Sequence, residues 1–575
     1  MSKTRPARRR DPWPAALITV ACCAAASIAV LLAVVLWLSF ADGMPGDPTQ
    51  GYTLKHYGDV LLDGFTYRVL WNTLLFSGVT LLVSMLMGLP LAWLIERTDF
   101  PGKPLVFTFM TTGLLIPGFA VALGWVFLLH PRVGIINQAL MSVLQLQEAP
   151  FNIASVLGMG LIEGMSLSPV VFIMTSIVFR TMDASFEESA RMSGATLWQT
   201  LWEVTLPLAR PGIMAAGIYV FAIGFAAFDV PAVIGLSGRI YTFSTYVFQQ
   251  MNPTEGLPQY GGVATLGVVM VFLALALTLW YGTLQRQAPR FAVISGRAYR
   301  LKLVPLARWK SLAIALVCLY FALTQLLPIL MLLWASVLPY LQSPSAQAIE
   351  SITLKNYFNL PRDLVVAGAK NTAILMVLVP TVTVAASLAI SWVVIRSRLR
   401  FRGIFDFFAF LPHTVPSIVF SIAAWLLALF VLRGTVPIYG TIWILVIVYS
   451  IVRLSYGTRM INSALIQIHR ELDESARMSG AATGGVISRI LIPLLTPTLL
   501  YSWIWIALLT YRELTLPVAL STTDNQPLSV VVWTLVSTSS YGMASTVSIV
   551  MLVLMLPVLF LYWTAARRAG VIAGT

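Results

Sequence analysis

The chain has 575 residues, of which 58% are hydrophobic and only 10% are charged. This composition excludes an ordinary soluble domain, in which about a quarter of the residues are charged. The net charge of +14 could indicate nucleic-acid binding. However, Lys and Arg collect in alternate loops between apolar segments, which is the bias typical of a multi-pass membrane protein.

Apolar runs long enough to cross a bilayer recur along the whole chain. A spanning helix needs roughly 20 apolar residues, and these runs are apolar on every face, unlike the short alternating strands of a membrane β-barrel. We predict an all-α membrane protein with about twelve transmembrane helices. They lie near residues 15–40, 69–95, 105–129, 153–179, 211–235, 263–284, 312–338, 367–395, 404–432, 438–456, 498–520 and 541–565.

The basic loops set the predicted orientation. Segments 3–10, 286–310 and 396–402 are the richest in Lys and Arg, so they are expected to face the cytoplasm. With twelve spans, both termini then lie in the cytoplasm, and we expect a multi-pass protein of the bacterial inner membrane. The run 15–40 is too long for a cleaved signal peptide and is predicted to be the first span.

The three cysteines lie inside predicted helices. Cys22, Cys23 and Cys318 have no metal-ligand spacing. We predict that they are buried structural thiols.

An internal repeat divides the chain into halves. The segment Glu188–Ala195 recurs unchanged at Glu474–Ala481. Each copy holds six predicted spans, an even number, so the copies enter the membrane in the same direction and are parallel repeats. The predicted division is a first transmembrane half, 1–290, with a loop at 181–210, then a cytoplasmic linker, 291–310, and a second half, 311–575, with a loop at 459–497.

These two loops, which we call the first and second knob, lie between the fourth and fifth spans of their halves on the cytoplasmic side. Ser185 with Glu188 can form a capping box that starts a short helix. Gly194 can then end it in the left-handed conformation, and a second short helix is expected to run until Leu206–Pro207. The sequence predicts a rigid helix–turn–helix projection in each half.

The alternative is that each knob is only a well-capped connector between spans. A connector gives no reason for eight residues to stay identical while the surrounding spans have diverged. Two equal knobs instead suit two equal cytoplasmic partners.

The repeated pattern Glu-x-Ala-x-x-x-Gly, followed by an aliphatic residue and proline, resembles the coupling loop of ABC importer permeases. Ser189 and Ser475 replace the more usual second alanine. The residues that carry the resemblance are Glu188, Ala190, Gly194, Leu206 and Pro207 in the first knob and Glu474, Ala476, Gly480, Ile492 and Pro493 in the second.

The fused arrangement resembles the permeases of the ferric-iron, thiamine and polyamine group. Phe228–Pro231 with Ile234–Gly235, and Arg512–Leu514, are most similar to the iron branch. The resemblance implies a type I ABC importer permease fold and import of a small solute by alternating access. Ferric iron is the favoured solute, and thiamine, a polyamine or a phosphonate is the alternative.

The resemblance also implies partners. They are two copies of a cytoplasmic ATP-binding subunit, which would hold ATP and Mg²⁺, an extracytoplasmic solute-binding protein, and the lipid bilayer, with no nucleic acid. The chain is therefore expected to be a permease subunit without enzymatic activity or a cofactor of its own. Consistent with this, the sequence has no Gly-x-x-x-x-Gly-Lys-Ser/Thr phosphate loop.

Four ionisable residues fall within predicted spans, namely Glu163, Asp229, Arg512 and Glu513. Such residues are costly in a membrane and indicate a translocation pathway. If they line a central cavity, three acids against one base favour a cation. A structural ion-pair network between the halves is the alternative.

Prolines mark places where spans are expected to break. Pro231 and Pro517 are predicted to break the fifth and eleventh spans at an outer gate. Pro412 and Pro416 flank His413 in the ninth span, and we interpret this histidine as a hydrogen-bonded structural group.

Functions of two other classes are the alternatives. A secondary transporter driven by an ion gradient can also have parallel six-span repeats, but it has no need for the knobs. An intramembrane enzyme would need paired His or acidic metal ligands, and the sequence has no such motif.

Overall fold

The computed structural model describes residues 11–43, 51–132, 134–183, 185–253, 256–285 and 303–568. Most of the predicted linker and the basic residues 3–10 lie outside this part of the chain. The described residues are almost entirely helical, as predicted, and the two strands β1 (Ala41–Asp42) and β2 (Gly51–Tyr52) form a single antiparallel pair.

The helices of the first half follow the predicted order. They are α1 (Trp13–Leu38), α2 (Lys55–Leu61), α3 (Gly64–Arg97), α4 (Lys103–Gly113), α5 (Gly118–Leu129), α6 (Ile135–Leu144), α7 (Val156–Thr181), α8 (Ser185–Met192), α9 (Leu197–Ala226), α10 (Phe243–Met251) and α11 (Tyr260–Gln285).

The second half has the same order of spanning helices, but its described residues contain no counterpart of α6 and have an additional short helix before the second span. Its helices are α12 (Ala307–Ser336), α13 (Ala346–Glu350), α14 (Lys355–Phe358), α15 (Arg362–Arg396), α16 (Arg402–Thr414), α17 (Ser417–Val431), α18 (Ile442–Gln467), α19 (Arg470–Met478), α20 (Thr483–Tyr511), α21 (Thr515–Leu520), α22 (Leu528–Ser537) and α23 (Tyr541–Arg568).

The described residues contain 10 helices that are long and apolar enough to cross a membrane. Two further helix pairs, α4 with α5 and α16 with α17, pass the same test together but are bent by 94° and 104°. Pro117 and Pro416 stand immediately before the second helix of each pair, where proline disfavours a helical conformation for the residue before it. Counting each pair as one span gives the predicted twelve.

The helix that forms the fifth span of each half begins earlier than the apolar pattern predicts. α9 and α20 start inside the knobs and continue through Pro207 and Pro493, so the expectation that Leu206–Pro207 ends a separate knob helix is wrong. A π-helical turn precedes each proline, at Leu201–Thr205 and Ile487–Leu491. Such a turn accommodates the missing N–H and the ring of proline without ending the helix.

The first span of each half packs against the other half. α1 lies along α15, α16 and α17, and α12 lies along α5. The largest buried cluster accordingly joins Ile28 and Phe243 of the first half to Phe420 and Tyr449 of the second. The two halves are therefore interlocked rather than simply adjacent.

The cysteines correct one prediction. Cys22, Cys23 and Cys318 are all exposed at the surface of the bundle, not buried. Apolar side chains on spanning helices face lipid at no cost, because the bilayer core is itself apolar. The tendency of free cysteines to be buried in soluble proteins therefore does not apply to these three positions.

Candidate functional site

The identical sequences of the two knobs form the same turn. Gly194 has φ +92° and Gly480 has φ +87°, a conformation that L-residues with side chains rarely adopt. The backbone N–H of Ala195 donates to the carbonyl of Ala190 at 3.0 Å, and Ala481 donates to Ala476 at 3.0 Å. These bonds close a Schellman-type helix end, so each glycine reverses the chain at the tip of its knob.

The capping box lies one helix later than the sequence predicts. α8 starts at Ser185, whose backbone N–H donates to the Asp183 carboxylate at 2.9 Å, so Ser185 and Glu188 do not form the box. It is formed by Thr196 and Gln199 at the start of α9. Because Asp183 already supplies an acceptor before α8, Ser185 is free to be the first helical residue.

A buried ion pair fixes each knob to the end of a spanning helix. Arg97, the last residue of α3, pairs with Glu187 at 3.5 Å. Arg396, the last residue of α15, pairs with Asp473 at 3.3 Å. The side chains in the first pair are only 2% and 8% exposed.

Additional hydrogen bonds hold these ion pairs in place. The Thr205 hydroxyl donates to the Glu187 carboxylate at 2.7 Å, and the Arg396 guanidinium donates to the Ile468 carbonyl at 2.6 Å. The four charged residues occupy equivalent repeat positions but were not predicted. The sequence contains one signal for the two acids, because Glu187 and Asp473 each come immediately before the repeated segment.

The tips of the knobs are exposed. Met192 and Met478 occupy the same repeat position, and each is 89% exposed. Added Cβ atoms at Gly194 and Gly480 would meet nothing within 4 Å. Exposed apolar side chains at the end of a rigid projection are typical of a surface that binds another protein.

The predicted intramembrane charges lie together between the halves. Asp229 interacts electrostatically with Arg512 and Glu513, and Glu163 interacts with Asp229 and Arg512. Arg453 of α18, which was not predicted, forms an ion pair with Glu513. The predicted ratio of three acids to one base is therefore wrong, because the cluster has two guanidinium groups. One formal negative charge remains in excess.

Asp229 lies close to the pseudo-two-fold axis that relates the two halves. The Thr515 hydroxyl donates to the Asp229 carboxylate at 3.3 Å, and Asp229 and Thr515 are equivalent positions of the two repeats. Equivalent residues can contact each other only where both lie close to the pseudo-two-fold axis. A pathway between two equal halves would follow this axis.

The backbone is broken beside this cluster in both halves. α9 ends at Ala226 and α20 ends at Tyr511, so Arg512 and Glu513 lie in a non-helical segment. Pro231 and Pro517 lie a few residues beyond the breaks, near the start of the next helical segments, where proline is well tolerated. Their predicted role in an outer gate stays a prediction.

Comparison with known proteins shows what the chain is similar to. Residues 84–288 match the family described as binding-protein-dependent transport system inner membrane component. This segment includes the first knob and Asp229. Residues 84–288 of the chain therefore carry the permease domain of the binding-protein-dependent import systems.

Individual relatives agree with this family. The permease is 24% identical over 523 residues to the ferric transport system permease protein FbpB of Actinobacillus pleuropneumoniae, a match that covers 88% of this chain and 72% of that protein. It is 25% identical over 459 residues to the putative ferric transport system permease protein FbpB 1 of Haemophilus influenzae, covering 77% and 68%.

Among solved structures, the permease is similar to a chain of a bacterial alginate ABC transporter in complex with an alginate-bound periplasmic protein. The identity is 22% and the TM-score is 0.32, with 41% of this chain and 83% of that chain covered.

His413 of the permease lies in an aromatic cluster at the contact between the halves. Its ring stacks on Tyr219 of α9 with 5.6 Å between ring centroids, and it meets the ring of Tyr456 at 5.7 Å. These ring contacts join α16 and α18 of the second half to α9 of the first. They give His413 a packing role across the interface.

Proposed function

We propose that the permease moves a small solute into the cytoplasm by alternating access, driven by two copies of a cytoplasmic ATP-binding subunit that seat on the two knobs. ATP and Mg²⁺ would be held by those subunits, and an extracytoplasmic binding protein would deliver the solute. The termini and knobs then lie in the cytoplasm. The duplicated knob carries this proposal, because its glycine turn, its buried ion pair and its exposed methionine recur in both halves.

The ion pairs supply the mechanical connection that this mechanism needs. When the ATP-binding subunits close on ATP, the knobs move together. Because Glu187 and Asp473 are paired with the last residues of α3 and α15, that movement is passed directly to long spanning helices. The halves then rotate against each other between inward-open and outward-open states, a rigid-body switch about an interface.

Ferric iron is the favoured solute. The similarity to ferric transport permeases supports it, and the excess carboxylate beside the pseudo-two-fold axis favours a cation over an anion. Thiamine, a polyamine or a phosphonate, carried by the same mechanism, is the alternative outcome of the test below.

Transport by purified components tests the proposal. The permease, with the ATP-binding subunit that co-purifies with it, is reconstituted in liposomes and supplied with its extracytoplasmic binding protein. We expect ⁵⁵Fe(III) to accumulate only when ATP and the binding protein are both present. Uptake of labelled thiamine or putrescine instead of iron would change the solute but keep the mechanism. Uptake driven by an ion gradient without ATP would contradict it and favour a secondary transporter.

A further inference from the structure

The two knobs differ at the residue that caps the fifth-span helix. In the first knob Thr196 is the N-cap of α9, and the backbone N–H of Gln199 donates to its hydroxyl at 3.3 Å. The equivalent residue of the second knob is Ala482, whose methyl group accepts no hydrogen bond. The backbone is the same at both positions, with φ −69° and ψ 164° at Thr196 and φ −71° and ψ 162° at Ala482.

The start of α20 instead takes an acceptor from Asp11, just before α1, at the first rather than the third N–H of the helix. The backbone N–H of Thr483, the first residue of α20, donates to the carboxylate of Asp11. The other oxygen of this carboxylate accepts from the backbone N–H of Trp13 at 3.2 Å, at the start of α1. Burial opposes ionisation, but hydrogen bonds from the side chain and backbone of Thr483 and from the backbone of Trp13, together with the charge of Arg477, hold the pKa of Asp11 below its ordinary value.

Trp13 makes a second contact with the same knob. A Cβ atom added to Gly484 would lie 2.2 Å from Nε1 of Trp13, so only glycine leaves room for this ring. The equivalent residue of the first knob is Trp198, which is 69% exposed. The second knob therefore lacks a tryptophan of its own at the position that Trp13 covers.

We propose that the beginning of α1 is the cap of the second knob, with Asp11 as a positioning residue for coupling at that knob alone. α1 belongs to the first half in sequence but packs along α15, α16 and α17 of the second, so it moves with the knob that it caps. The role in coupling rests on the proposed function, whereas the role as a cap does not.

This arrangement makes the two sites for the ATP-binding subunits unequal. The first knob carries its own cap, whereas the second depends on a residue more than 400 positions away in the chain. A change at the N-terminal end of α1 should therefore alter one knob and leave the other unchanged. The first knob serves as an internal control in the same molecule.

Hydrogen exchange on the permease in lipid nanodiscs, in complex with its co-purified ATP-binding subunit, tests the cap. Loss of an N-cap costs about 1 kcal/mol, so D11A should speed exchange in the first turns of α20 by about fivefold while α9 is unchanged. T196A should have the reverse pattern. Equal exchange rates in D11A and the unmodified protein, or equal changes in both knobs, would overturn the proposal.

A rescue variant distinguishes loss of the cap from general misfolding of the D11A protein. A482T with G485Q rebuilds in the second knob the Thr–Gln capping box of the first, and a Cβ atom at Gly485 meets only Ala481 at 3.8 Å. In the D11A background these changes should restore both slow exchange and ATP hydrolysis stimulated by the binding protein. Failure to restore exchange contradicts the cap. Altered exchange with unchanged ATP hydrolysis in D11A keeps the cap but contradicts the coupling role.

Discussion

Replacing Glu187 with Gln is expected to destabilise the permease by about 3 kcal/mol and to abolish ATP-driven uptake. The substitution keeps an oxygen that can accept from the Thr205 hydroxyl and removes only the charge. Arg97 then stays buried without its ion-pair partner, because the neighbouring Glu96, which also acts on it electrostatically, is paired with Arg180. Breaking a buried pair on one side typically costs 3–5 kcal/mol. Thermal unfolding in detergent, followed by intrinsic fluorescence, measures the loss of stability.

The second knob provides a replicate of the same experiment, and the chain provides a control. D473N should act like E187Q, because Asp473 and Arg396 are equally enclosed. E188Q, one residue along and only half-buried, should change the stability by less than about 0.5 kcal/mol. Unchanged stability in both E187Q and D473N would contradict the interpretation of these pairs as anchors.

A double substitution separates stability from coupling at the first knob. Replacing both partners, as R97M with E187L, removes the unpaired charge and should recover most of the stability that E187Q loses. Uptake should stay low, because the knob is no longer bound by an ion pair to the end of α3. Recovery of uptake together with stability would show that the pair is needed only for folding.

Replacing Asp229 with Asn is expected to lower ⁵⁵Fe(III) uptake by about tenfold or more, while the assembled permease remains stable. The amide oxygen can still accept from the Thr515 hydroxyl, so only the negative charge near the pseudo-two-fold axis is lost. A charge of one sign in a cleft of low dielectric raises the local concentration of the opposite ion by 10-fold to 10³-fold. Initial rates in proteoliposomes measure the effect.

Two variants decide between a pathway and a structural network. T515V removes the hydrogen bond but keeps the charge, so it should reduce uptake much less than D229N. R453M leaves Glu513 without its partner and should reduce stability. If D229N has normal uptake and R453M is unstable, the cluster is an ion-pair network that holds the halves together, and the pathway interpretation of Asp229 is wrong.

Several features of the permease could be predicted because they depend on local chemistry. The number of spans follows from the length of apolar runs, and the repeat follows from one unchanged segment. The turn at Gly194 and Gly480 was predictable because a glycine after a short polar helix commonly ends that helix in the left-handed conformation. A break near Pro416 was expected from the prolines of the ninth span. The bend at Pro117 was not predicted, since a proline in an apolar run can also be accommodated by a π-helical turn, as Pro207 and Pro493 are.

The charged contacts could not be derived in the same way. Arg97 and Glu187 are distant in the chain, and no periodicity connects the end of the second span to the start of a knob. Arg453 lies in a long, mostly apolar helix that also contains Arg459, and its relevance depends on Glu513 lying beside it. The contact of Asp11 with Thr483 follows from the packing of α1 on the opposite half, which a sequence pattern does not reveal.

The position of the knob tips tests the central claim most directly. Met192 and Met478 are replaced one at a time by Cys in a chain whose exposed native cysteines, Cys22, Cys23 and Cys318, are changed to Ser. The variants are treated with a membrane-impermeant maleimide on sealed vesicles of both orientations. We predict labelling of both variants only from the cytoplasmic side, and protection of both by the ATP-binding subunit. Labelling from the outside, or no labelling from either side in permease purified without the ATP-binding subunit, would contradict the proposal that these knobs receive the ATP-driven movement.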